Sequence, residues 1–170
     1  MKNIVLTGFM GTGKSEVSRE LSRILGWNSI DIDAEIEKSQ KMAITEIFRQ
    51  FGEPEFRDIE TETIKKFSGN KNVIISTGGG AVLRQENMDV LREKGVIVCL
   101  TARPETILQR TSKNNDRPLL QVDEPLKKIK ELLEFRKPYY EKADIMIDTE
   151  CKTPIQVAEE IIEKAKEWKK

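Results

Sequence analysis

Residues 8–15 read Gly8-Phe9-Met10-Gly11-Thr12-Gly13-Lys14-Ser15, a full match to G-x-x-x-x-G-K-[ST]. The apolar run Ile4-Val5-Leu6-Thr7 precedes this stretch. Val17, Leu21, Ile24 and Leu25 follow at helical spacing within 14–25. A strand, a glycine-rich turn and a helix are therefore expected in that order. Glycines let the backbone curl so that several N–H groups converge on one anion, and the start of the helix adds its partial positive charge. Lys14 is expected to reach the β and γ phosphates of a nucleotide, and the Ser15 hydroxyl is a hard oxygen donor suited to Mg²⁺. GTPases, ATPases and many kinases share such a loop, so it points to nucleotide chemistry without choosing a reaction.

Outward from this loop, strand-like runs alternate with amphipathic stretches. Strands are expected at 4–7, at Ser29-Ile30-Asp31-Ile32-Asp33, at Val73-Ile74-Ile75-Ser76, at Val96-Ile97-Val98-Cys99-Leu100 and at Ile145-Met146-Ile147. Helices are expected at 14–25, 34–40, 44–51, 55–67, 85–94, 104–112, 125–142 and 154–168, with Pro154 able to open the last at its first position. Residues 113–124, with Asn114-Asn115-Asp116 and Pro118, read as a polar loop. Strands alternating with helices imply a parallel sheet covered on both faces, hence a three-layer α/β/α domain. Ligands of such sheets sit beyond the carboxyl ends of the strands. The glycine loop, Asp31 with Asp33, and Gly78-Gly79-Gly80 all fall at those ends.

Asp31 and Asp33 alternate along a strand end, so they share a face only if the chain turns there. With a turn, one acid could hold a Mg²⁺-bound water and the other could take a proton from an acceptor hydroxyl, or one, Asp33, could instead cap the following helix. Arg57, within Phe56-Arg57-Asp58-Ile59-Glu60, and Arg136, within Glu134-Phe135-Arg136-Lys137-Pro138-Tyr139-Tyr140, carry forked donors that suit a carboxylate. By composition alone, each belongs on a solvated surface.

Bulk properties narrow the class. The chain has 170 residues, 38% hydrophobic and 34% charged, as expected for a globular domain with a sizeable core. Lys plus Arg is 29 and Asp plus Glu is 29, a balance that argues against a general nucleic-acid binder. No apolar run approaches the roughly 20 residues that span a bilayer, and the N-terminus lacks a cleavage-site pattern. A cytoplasmic location, with no membrane partner, is expected. Cys99 and Cys151 are not expected to pair, and the absence of histidine removes histidine-dependent triads and metal sites.

In order along the chain, the glycine loop, Asp31-Ile32-Asp33, Phe56-Arg57 with Ile59-Glu60, Gly78-Gly79-Gly80-Ala81-Val82, Arg117-Pro118-Leu119-Leu120, and Arg136 with Pro138-Tyr139-Tyr140 resemble the shikimate kinase family over essentially the whole length. The resemblance implies a single P-loop kinase domain with a five-stranded parallel sheet, similar in fold to nucleoside monophosphate kinases. It implies that ATP phosphorylates shikimate to shikimate 3-phosphate in aromatic amino-acid biosynthesis, with Mg²⁺, in a monomer.

For the residues, the resemblance implies that Gly11, Thr12, Gly13, Lys14, Ser15 and Glu16 take the phosphates. Arg110 lies by the adenine, with Lys152 and Pro154 on its far side. Ser15, and Asp31 through water, face the metal. Asp33 binds ring hydroxyls and acts as base or orienting group, and Phe48 and Phe56 wall the ring. Arg57 and Arg136 clamp the carboxylate, and Gly78, Gly79 and Gly80 allow close backbone approach. Residues 113–124 form a mobile lid carrying Arg117 onto the phosphates, and the region 34–67 binds the acceptor. Glu16 stands where the family usually has Thr, so backbone rather than side-chain contact to the α-phosphate is expected there. Other readings are a gluconate kinase of the same architecture, a nucleoside monophosphate kinase, and a nucleotide-dependent switch or ATPase without an acceptor.

Overall fold

The computed structural model describes residues 2–112, 120 and 122–168. The five strands are β1 (Asn3–Gly8), β2 (Asn28–Asp31), β3 (Val73–Ser76), β4 (Gly95–Thr101) and β5 (Ile145–Asp148). They form one parallel sheet in the order β2-β3-β1-β4-β5. The helices are α1 (Lys14–Leu25), α2 (Ile32–Gln40), α3 (Ile44–Ser68), α4 (Gln85–Lys94), α5 (Pro104–Thr111), α6 (Pro125–Tyr140) and α7 (Pro154–Glu167), with a 3₁₀ turn at Ala81–Leu83.

Side-chain alternation along the strands builds two cores. Ile4 and Leu6 of β1 and Val96, Val98 and Leu100 of β4 face α1 and α7, meeting Val17, Leu21, Val157 and Ile161. Val5, Ile75, Ile97 and Cys99 face the other way, onto Ile36, Ile64, Leu91, Ile107 and Ile129. The three-layer α/β/α architecture with a five-stranded parallel sheet, expected from the sequence, is the one observed. Cys99 is buried, its thiol pushed up to about 11 by that burial, and neither cysteine is paired.

Local differences from the sequence expectation have physical causes. β2 stops at Asp31, and Ile32 and Asp33 already belong to α2. The cap of α2 is Asp31, whose Oδ1 accepts from the Ala34 N–H at 3.2 Å, so the capping role weighed for Asp33 falls to its neighbour. α3 runs through both expected segments but breaks at Gly52, at φ 82 and ψ 172, two residues before Pro54. α6 ends at Tyr140, two residues early, because the chain tightens there: the Ala143 N–H bonds the Tyr140 carbonyl.

β1 lies between β3 and β4, the strands reached by chain crossovers on either side. The carboxyl end of β1 is thus the switch point of the sheet, where a crevice opens. No helix among the described residues is long and apolar enough to cross a membrane.

Candidate active site

At that switch point, a cleft of about 1180 Å³ runs from the turn after β1 to the break after β3. Gly8, Gly11 and Gly13 take positive φ angles of 130°, 78° and 92°. Gly13 is the N-terminal cap of α1, and its left-handed backbone is one that a side chain would strain. The Thr12 hydroxyl donates to the Phe9 carbonyl at 2.7 Å, and the Lys14 ammonium donates to the carbonyls of Gly8 and Phe9 at 2.8 and 2.9 Å. The lysine therefore spans the turn, with the start of α1 pointing into the cleft.

The six loop residues Gly11, Thr12, Gly13, Lys14, Ser15 and Glu16 all line the cleft. Glu16 is exposed on the first turn of α1, which fits a carboxylate turned to water. Arg110, Lys152 and Pro154 line the far end. Arg110 Nη1 donates to the Gly11 carbonyl and to Thr149 Oγ1, each at 3.2 Å, tying α5 to the loop and to the turn after β5. Lys152 is held by Glu160 at 2.7 Å.

The other end gathers Asp31, Asp33, Phe48, Phe56, Arg57, the glycine triplet and Arg136. The Phe48 and Phe56 rings pack at 4.7 Å between centroids, tilted by 41° to each other. Arg57 is 8% exposed and Arg136 3%, so the surface placement that composition favours does not hold for either. Burial, which alone would push the Arg57 guanidinium down, is outweighed by Glu60 at 2.8 Å and Glu53 at 2.9 Å, and its pKa is raised. Gly80 lies against that guanidinium. A Cβ there would lie 2.6 Å from Arg57 Cζ, so a side chain at this position would displace the guanidinium. A Cβ on Gly79 would meet the Gly8 carbonyl at 3.2 Å and Arg136 Nη1 at 3.3 Å. The two arginines therefore flank consecutive glycines at one end of the cleft.

Glu60 was legible only as part of a motif, yet it is fully buried in this cleft. Burial, partly opposed by Arg57, pushes its carboxyl up to about 7. Its signal in the sequence is the three-residue spacing from Arg57, which puts both on one helix face. Thr149, which lines the cleft beside Arg110, had no signal of its own. Of the lid expected over 113–124, Arg117 and the rest of 113–119 and 121 lie outside the described residues.

A family model for shikimate kinase matches residues 10–166. The shikimate kinase of Thermodesulfovibrio yellowstonii is 54% identical over 162 residues, covering 95% of this chain and 94% of that one. The chain belongs to the shikimate kinase family. The family's reaction comes with it: ATP and shikimate give ADP and shikimate 3-phosphate, a step in aromatic amino-acid biosynthesis. Among solved structures, the Acinetobacter baumannii enzyme in complex with shikimate superposes with a TM-score of 0.95 at 36% identity, covering 98% of this chain and 94% of its own. A gluconokinase from Sinorhizobium meliloti reaches a TM-score of 0.62 at 19% identity, covering 94% of this chain and 88% of its own, which marks a shared fold alone.

Proposed function

We propose a division of labour in the cleft for this phosphoryl transfer. It is carried by one observation: two buried arginines flank the glycine triplet, and the phosphate loop lines the same cleft beside it. Burying guanidinium groups costs free energy unless an anion or carboxylate meets them. Arg57 and Arg136 receive the shikimate carboxylate, and Phe48 with Phe56 walls the ring. Asp33, in the first turn of α2, takes the ring hydroxyls and acts as base or orienting group for the attacking one.

The triphosphate lies along the N–H groups of Gly11 to Glu16. Lys14 exchanges its carbonyl partners for phosphate oxygens, neutralising charge as the terminal phosphoryl group moves. Arg110, Lys152 and Pro154 receive the adenine, and Arg117 reaches the phosphates from a lid over 113–124. The Ser15 hydroxyl at the loop and the Asp31 carboxylate at the end of β2 are hard oxygen donors lining the same cleft, a set that fits Mg²⁺ sharing its shell with phosphates and water. Bound there, the ion supplies charge neutralisation on the phosphates. One chain contributes every group named, so a monomer suffices. Free thiols at Cys99 and Cys151 suit the reducing cytoplasm.

The clamp is tested by comparing shikimate with its methyl ester in calorimetric titrations. The ester keeps the ring and hydroxyls but loses the charge, and its binding is expected to weaken by at least about tenfold. Equal affinity for acid and ester overturns the clamp.

A further inference from the structure

The glycine triplet presents three carbonyls, and each is held within the protein. Gly78 accepts from the Ala81 N–H at 3.2 Å and Gly80 from the Leu83 N–H at 3.1 Å, both inside the local turn. The Gly79 carbonyl is held differently, by the Tyr140 hydroxyl, 61 residues away in sequence, at 2.7 Å. Tyr140 ends α6 and is 6% exposed. It does not line the cleft, whereas Gly79 and Gly80 do. A trans peptide directs its C=O and its N–H to opposite sides, and the described residues include no cis bond. With the Gly79 oxygen drawn toward the core, the Gly80 N–H faces the cleft. Glycine on both sides of this peptide leaves it free to rotate unless something fixes it.

We propose that Tyr140 is a positioning residue for the acceptor: its hydroxyl locks the Gly79–Gly80 peptide so that the Gly80 N–H points at the bound substrate. The assignment rests on the acceptor site described above. Two further features support it. Arg136 lies one helical turn before Tyr140 on α6, with its guanidinium beside the phenol and 3.3 Å from where a Gly79 Cβ would be. One helix face thus sets both the clamp and the peptide. Burial, partly opposed by Arg136, holds the phenol pKa up at about 12, so the hydroxyl stays a donor throughout the working range.

The test is Tyr140→Phe, which removes one oxygen and keeps the ring. ADP release is followed against shikimate at saturating Mg²⁺-ATP and against ATP at saturating shikimate, beside the unsubstituted chain. The shikimate KM is expected to rise about three- to tenfold, as for a lost neutral hydrogen bond, while the ATP KM stays within about twofold. In glycine-labelled ¹⁵N spectra, the Gly80 amide is expected to shift in the variant and to lose most of its response to shikimate. An unchanged shikimate KM, or equal rises in both KM values, overturns the proposal. Should the variant not fold, the unsubstituted chain still decides: a Gly80 amide that does not move on saturation with shikimate overturns it, and one that moves supports it. Absence of shikimate-dependent release in the unsubstituted chain would overturn the acceptor site itself. Normal release there with an unaltered variant overturns the role of Tyr140 alone.

Discussion

Asp33 Oδ1 and Glu60 Oε1 converge on the same side of Gly78: a Cβ there would lie 2.9 Å from the first and 3.0 Å from the second. One carboxylate comes from α2 and the other from α3, and the bare glycine is what lets both approach. Arg57 answers Glu60 on its other oxygen at 2.8 Å, and Arg136 adds positive charge nearby.

This pairing makes stability pH-dependent. Burial first, with Asp33 adding to it, lifts the Glu60 carboxyl from 4.5 to about 7, against the pull of Arg57. Between those values the folded chain binds more protons at this group than the unfolded chain does. Stability from this group is therefore present in full below about 4.5 and is lost as pH rises through about 7. The slope is at most about 1.4 kcal/mol per pH unit. Urea denaturation of the chain and of Glu60→Gln, each from pH 5 to 8, should show the difference between them changing in this direction. A parallel pair of curves would contradict it.

Asp33→Asn should lower kcat by roughly 10²–10⁴-fold, the usual contribution of a positioned base, with little change in nucleotide affinity. The expectation follows from its place in the first turn of α2, on the same side of Gly78 as Glu60. Steady-state kinetics with nucleotide titrations would check this, and an effect confined to ATP binding would remove Asp33 from the acceptor site.

Arg136→Ala should raise the shikimate KM by roughly 10- to 100-fold, as for loss of a charge-assisted hydrogen-bond partner, and leave the ATP KM near its starting value. Arg136→Lys should restore little of this, since an ammonium lacks the planar fork. Unchanged shikimate KM values in both variants would take Arg136 out of the clamp.

The sequence made the sheet legible where apolar runs are bounded by turn residues. β3 and α4 fall on their expected bounds because Gly78 and Gly95 close them. The β2–α2 junction was less legible, since its end depends on which of two similar acids turns its side chain back onto the Ala34 N–H. For the site, the loop from Gly8 to Ser15 could be read directly, because its chemistry is local. Arg57 and Arg136 could not be told from surface residues by composition. Arg57 is met by Glu53 and Glu60 and by Gly80, and Arg136 lies over the Phe9 ring and beside Gly79; the contacts to Phe9 and the two glycines join residues far apart along the chain. Tyr140 was visible only as part of Pro138-Tyr139-Tyr140, and its bond to the Gly79 carbonyl exists only once α6 lies beneath the triplet.

The most direct test of the central claim is ADP release with Mg²⁺-ATP and shikimate, run beside gluconate and beside no acceptor. The clamp, the glycine triplet and Asp33 together predict release that saturates with shikimate and stays at background in the other two reactions. Release driven by gluconate, or slow release indifferent to every acceptor, would contradict the acceptor site while leaving the phosphate loop in place.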